Sequence, residues 1–234
     1  MNKLNWLFTI YSFMALVIII ERLLPTTRVL LQPYNFIRIH EIDQTVILLT
    51  ITVVIAFLQL HIITHAFKAL KDRQNLILFL LFTVGVYLFG AGEGWHEVAS
   101  FTLNSYCDIH KLTNQLCGGL YINDFYAGNI IFFIGAVLMN TAILALSARS
   151  PMKIFSKKDQ SILFINSIVY AFTWFAYAAF DEVLVGLLFS VLLMLISLNY
   201  FFRIKNNWRA YPYIIYSVLA YTLATLSTLL VKFH

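Results

Sequence analysis

Seven apolar runs occupy most of this chain, at about 4–20, 45–67, 75–95, 126–147, 161–180, 183–202 and 211–231. A helix needs ~20 apolar residues to cross a hydrocarbon core of ~30 Å. Inside that core a backbone is satisfied only by helices or closed barrels. The runs therefore predict an all-α fold: a polytopic seven-helix transmembrane bundle forming one integral membrane domain, residues 1–234. Composition agrees, since 61% of residues are hydrophobic and 12% charged, against about 25% charged in a typical soluble domain. The first run ends at Glu21-Arg22-Leu23 without a small-x-small cleavage site, so it reads as a retained span and not a signal peptide.

The basic residues orient the bundle. Lys3, Lys68, Lys71, Arg73, Arg149, Lys153, Lys157, Lys158, Arg203, Lys205 and Arg209 fall on one side, and Arg22, Arg28, Arg38, Lys111 and Lys232 on the other. The positive-inside rule then places the N-terminus in the cytoplasm and the C-terminus outside. This is the pattern of a multi-pass protein of the plasma or inner membrane, with membrane lipids as its surroundings. The net charge of +5 follows from that topology. No Lys/Arg-rich face with interleaved aromatics exists to suggest a nucleic-acid partner.

Acidic residues sort the opposite way. Only Asp72 and Asp159 lie inside, whereas Glu21, Glu41, Asp43, Glu93, Glu97, Asp108, Asp124, Asp181 and Glu182 lie at or beyond the outer ends. Acidic residues contribute little to topology, so the skew points to a functional outer mouth. Cys107 and Cys117 share the outer loop between the third and fourth runs, where a disulfide can form. Residues 21–44 predict an interfacial helix along the outer headgroups, interrupted at Pro25 and Pro33.

The densest polar group is Gly90-Ala91-Gly92-Glu93-Gly94-Trp95-His96-Glu97, at the end of the third run. Glu93, His96 and Glu97 are spaced i, i+3 and i+4, which puts them on one helix face. A catalytic zinc takes about three protein ligands and a water. Asp124, Asp181 and Glu182 are the candidates to complete a zinc or other divalent metal site with them, with His40 and Asp43 behind. The three glycines weaken the helix locally and predict an unwound segment lining a cavity. Glu93, His96 and Asp124 are the candidate catalytic residues, and Trp95 and Asn129 the candidate substrate contacts. Structural roles stand beside these: Asp124 as N-cap of the fourth span, Asp181 as cap of the sixth. His61 and His65, at i, i+4 on the second run, lie about 24 Å from its outer start at 1.5 Å per residue. They read either as a separate inner site or, the preferred reading, as interfacial histidines near Lys68 and Lys71.

Seven spans with His96 and Ser100, followed by Asp124, resemble the CREST superfamily of seven-span membrane hydrolases, which includes alkaline ceramidases. The resemblance implies a zinc-activated water attacking a lipid amide. The order of His and Ser is reversed in this chain, its last run has no histidine, and its HxxxH pair falls at His61 and His65. Three functions are open at this level: a metal-dependent hydrolase acting on a lipid or amphiphile, a cation transporter or channel with an acidic outer vestibule, and a non-catalytic membrane assembly subunit.

Overall fold

Long apolar stretches satisfy their backbones by becoming helices, and the computed structural model of this chain is helical nearly throughout. It describes residues 2–24, 29–32, 37–112, 114–180, 183–204 and 207–233. The helices are α1 (Lys3–Leu23), α2 (Ile39–Ile63), α3 (Arg73–Tyr106), α4 (Gln115–Arg149), α5 (Lys157–Phe180), α6 (Val185–Arg203) and α7 (Pro212–Phe233). Helices α2 to α7 are long and apolar enough to cross a membrane. Large apolar side chains such as Phe13, Tyr87, Phe172 and Leu188 are exposed on the outside of the bundle, as expected of a surface bathed in lipid.

Two helices run past their expected ends. The third run predicts a span ending at residue 95, yet α3 continues to Tyr106, 34 residues in all. At 1.5 Å per residue it is about 51 Å long, longer than the membrane core. Helix α4 begins at Gln115 and not at 126, with the Asn114 side chain accepting from the Cys117 N–H at 2.7 Å. The role of cap therefore belongs to Asn114, and Asp124 lies inside the helix. A disulfide joins Cys107 to Cys117, with Cα atoms 5.7 Å apart, and closes the turn between the two extensions.

The described residues of the first outer loop are not an interfacial helix. Leu31 N–H donates to Ile37 O at 2.9 Å and Ile39 N–H to Val29 O at 3.3 Å, a short antiparallel bridge that leads into α2. Arg38 caps this junction: its guanidinium pairs with the buried Glu41 carboxylate and lies over the Phe101 ring of α3. At its other end α2 stops at Ile63. His65, Ala66 and Phe67 follow with φ of 51°, 61° and 63°, a left-handed turn that non-glycine residues rarely adopt.

The bundle is held by one close seam and several looser ones. Helices α3 and α4 pack antiparallel along Gly85 and Gly92 on one side and Gly128 and Gly135 on the other. A Cβ built on Gly92 would stand 2.1 Å from Phe132 N, and one on Gly135 would stand 2.2 Å from Phe89 N. Small residues let membrane helices approach this closely. The glycines thus tighten a continuous helix, and the expected unwinding between residues 90 and 94 does not occur. Elsewhere, Asn2 N–H and Asn5 Nδ2 donate to the Asp159 carboxylate at 3.1 and 3.2 Å, tying α1 to α5. Ser190 and Thr225 share a hydrogen bond of 2.7 Å between α6 and α7. Helix α2 touches α3 only sparsely.

Candidate functional site

The α3–α4 seam brings His96 and Asp124 together. Residues Asn123–Gly128 form a π-helical turn within α4, a widened turn often found at functional sites. It carries Asp124 inward, where the residue is 3% exposed. Gly128, at the end of that turn, lets the α4 backbone lie against His96; a Cβ there would stand 2.7 Å from His96 N. Nδ1 of His96 then sits 3.1 Å from the Asp124 main-chain oxygen and 2.9 Å from its Oδ1. The ring N–H is aligned with the main-chain oxygen, so the contact with Oδ1 is electrostatic more than a directed hydrogen bond. A carboxylate so deeply buried is costly without a partner, and the imidazole stands beside it. Nδ1 is the donor toward the main-chain oxygen, which fixes the orientation of the ring.

Asn129 extends this pair toward the centre of the bundle. Its Nδ2 donates to the Asp124 main-chain oxygen at 3.0 Å, and its Oδ1 accepts from the Tyr177 hydroxyl of α5 at 2.8 Å. Both Asn129 and Tyr177 line a cavity of about 310 Å³ whose walls come from α1, α2, α3, α4, α5 and α7. The cavity reaches from Gln44 to Gln59 along α2, about 22 Å at 1.5 Å per residue. Its walls are mostly aromatic and aliphatic, with Phe89, Phe132, Phe133 and Trp174 prominent. Glu93 is the one charged side chain among the described residues that line it.

The remaining candidates separate. Glu93 reaches the cavity, whereas His96, Glu97 and Asp124 are not part of its lining. Glu97 is buried. Ser100, one turn beyond His96, has its hydroxyl engaged by Asn104 Nδ2 at 3.3 Å. Trp95 is exposed on the outside of the bundle and does not line the cavity, so of the two expected substrate contacts only Asn129 is placed there. Asp181 and Glu182 lie outside the described residues. Among the described residues no three His, Cys, Asp or Glu side chains stand close enough to hold a metal ion. His96 and Asp124 supply two donors where zinc takes three or four. The expected ligand set is therefore not assembled by these residues.

His61 and His65 lie apart from this site. His61 is exposed and meets the Phe67 ring edge-on, 4.9 Å between centroids. His65 stands in the left-handed turn beyond α2, so the two do not share a helix face.

Tyr11, Gln59, Asn140, Tyr170, Tyr177 and Tyr213 line the cavity and were not legible as site residues from charge or histidine spacing. The usable signal was the presence of amides within apolar runs: Gln59 and Asn140 cost free energy in hydrocarbon unless they face a partner or a cavity. No protein-family model, curated protein or solved structure matches this chain.

Proposed function

We propose that this chain is a seven-span membrane hydrolase acting on a lipid or amphiphile, with α1 as the seventh span, the N-terminus cytoplasmic and the C-terminus outside. The observation that carries the reading is the cavity. A long, aromatic and aliphatic chamber in the middle of a membrane bundle, with one carboxylate and a few amides in its wall, suits an amphiphile better than a hydrated ion. The basic residues and the helix order support the orientation. The Asn2–Asp159 contact puts the N-terminus at the same end as the start of α5, the basic side.

In this reading Glu93 is the group that touches substrate. It accepts a proton from a water attacking the acyl carbon, then returns it to the leaving oxygen or nitrogen as the acyl bond breaks, giving an acid and an alcohol or amine. His96, held by Asp124, stands one turn outward of Glu93 on α3 as a positioning residue, and Asn129 orients the bound carbonyl or the water. General acid–base groups of this kind contribute typically 10²–10⁴-fold. The test is turnover of acyl p-nitrophenyl esters and fatty-acyl amides by the purified protein in mixed micelles. Glu93→Gln is expected to lower the rate by roughly 10²-fold or more while leaving thermal unfolding nearly unchanged. Absence of turnover across the acyl series, or turnover indifferent to Glu93→Gln, would overturn the assignment.

A further inference from the structure

Among the described residues that line the cavity, Glu93 carries a charge and no Lys, Arg or His is present, so the wall is electrically negative. The α3–α4 seam shows what stands beside that charge. A Cβ on Gly92 would meet Phe132 N and Gly128 O, so Glu93, the next residue of α3, is level with the turn of α4 from Gly128 to Phe132. Phe89 precedes Glu93 by four residues and shares its face of α3, where side chains so spaced have Cβ atoms about 5–6 Å apart. The Phe89 and Phe132 rings lie 4.4 Å apart, centroid to centroid, and are tilted by 30°. Phe132 meets Phe133 at 5.1 Å, and Phe133 meets Trp174 at 5.5 Å and Tyr177 at 5.3 Å. All five rings line the cavity, so the carboxylate adjoins a continuous aromatic wall.

The chemistry of the ligand follows from that wall. An aromatic ring is negative over its face. A cation within about 6 Å of its centroid is attracted, more strongly where water is excluded. Rings and carboxylate therefore favour the same kind of ligand, and the ~5–6 Å between the Cβ atoms of Phe89 and Glu93 lets one trimethylammonium head touch both. A small metal ion fits poorly, because it takes several oxygen ligands and the wall offers one carboxylate. A phosphate would be repelled by Glu93 and would meet no cation among the described lining residues. The rest of the chamber takes the chain. Met139 packs on Gly85, so Asn140 lies about eight residues, or ~12 Å, along the α3 axis from Glu93. The wall between them includes Phe132 and Ala136.

We propose that Glu93, Phe89 and Phe132 form an ammonium subsite: the amphiphile carries a quaternary or protonated amine beside the bond that Glu93 reaches, has no phosphate, and runs its chain inward toward Asn140. This rests on the reading of the cavity as the site of an amphiphile, and it narrows the substrate class to fatty-acyl esters of amino alcohols.

Binding can be read without turnover, because Trp174 lines the cavity and its fluorescence reports occupancy, with Trp174→Phe as the blank. The probes are two ethers, which cleavage of an acyl bond cannot consume: the tetradecyl ether of choline, and 3,3-dimethylbutyl tetradecyl ether, which has carbon in place of the ammonium nitrogen. Each is titrated into the purified protein in micelles of an uncharged maltoside. The choline ether is expected to bind the wild type roughly tenfold more tightly or better. Glu93→Gln, close to glutamate in shape, should cut that ratio to about threefold or less, the share left to the rings. Phe132→Leu should lower the ratio by roughly threefold with Glu93 in place. Equal binding of the two ethers by the wild type, or a ratio indifferent to Glu93→Gln, would overturn the ammonium subsite and leave the cavity to neutral amphiphiles. Failure of both ethers to bind would overturn the amphiphile cavity and the subsite with it. Preferred binding of the choline ether without turnover of any acyl ester would uphold the subsite and count against the hydrolase alone.

Discussion

Replacing Gly92 by alanine tests the α3–α4 seam, and replacing Gly94 provides a control two residues away. A Cβ on Gly92 would stand 2.1 Å from Phe132 N, 2.6 Å from Phe132 Cα and 2.8 Å from Gly128 O. All three are backbone atoms, so no side chain can swing aside. Against an ordinary contact of about 3.5 Å, the helices would have to part by about 1.4 Å at this point. A gap of 0.5–1 Å already forfeits a quarter to a half of a dispersion contact, and the seam runs from Gly85–Met139 to Gly128–His96. Overpacking typically costs 1–3 kcal/mol, and a clash confined to backbone belongs at the upper end, about 3 kcal/mol.

A Cβ on Gly94 would have nothing within 4 Å, so alanine there removes only glycine's helix penalty and should stabilise by roughly 0.5–1 kcal/mol. Unfolding would be followed by circular dichroism in mixed micelles titrated with sodium dodecyl sulfate. Gly92→Ala should shift the midpoint to lower detergent, Gly94→Ala should leave it or raise it, and Gly92→Ala should also lose turnover as His96 and Asp124 separate. Equal stability of the two variants would refute the seam.

Reduction of Cys107–Cys117, or Cys107→Ser, should destabilise the protein by roughly 3 kcal/mol, the chain-entropy value for so short a loop, read in the same detergent titration. In right-side-out vesicles, a membrane-impermeant maleimide should label these cysteines only after reduction, which checks the outward placement of the loop. Asp159→Ala removes the acceptor of Asn2 N–H, Asn5 Nδ2 and Ser156 Oγ and should cost about 1–2 kcal/mol, with faster proteolysis at the N-terminus. Tyr177→Phe deletes the 2.8 Å bond to Asn129 Oδ1; it should cost about 1 kcal/mol and lower turnover while leaving Gly94→Ala-like stability gains additive.

Periodicity was not what made this fold readable from the sequence; unbroken apolar length was. A run of ~20 apolar residues names a membrane helix whatever its neighbours are, and the six long helices from α2 to α7 follow from that alone. Helix ends were harder, because α3 and α4 continue into polar sequence. Residues 96–106 and 115–125 hold too many polar side chains to read as span, yet they pair with each other and are closed by the disulfide. The glycine-rich segment was visible, but its purpose was not. Gly90, Gly92 and Gly94 look alike in a sequence, while only Gly92 meets another backbone, because Gly90 and Gly94, four residues apart, share the face of α3 turned away from α4. The proximity of His96 and Asp124 depends on that seam, with 28 residues between them, and no local pattern encodes it.

The same helix pair explains why the cavity lies where it does. Along α4, Gly128 and Gly135 repeat at seven residues and press against α3, while Asn129, Phe133, Ala136 and Asn140 recur at three to four residues and face the cavity. One side of the helix is therefore locked, and the adjacent side is open. Helix α2 closes the opening without packing closely on α3, so the void is bounded by one rigid wall and one looser one. Glu93 belongs to the rigid wall, as do Asn129 and Asn140. A site built on such elements holds its polar groups at fixed spacing, and the ~12 Å between Glu93 and Asn140 is then a property of the α3–α4 seam. Loosening that seam would alter the spacing and the His96–Asp124 contact together, whereas changes in α2 at Gln59 would alter only the far end of the cavity.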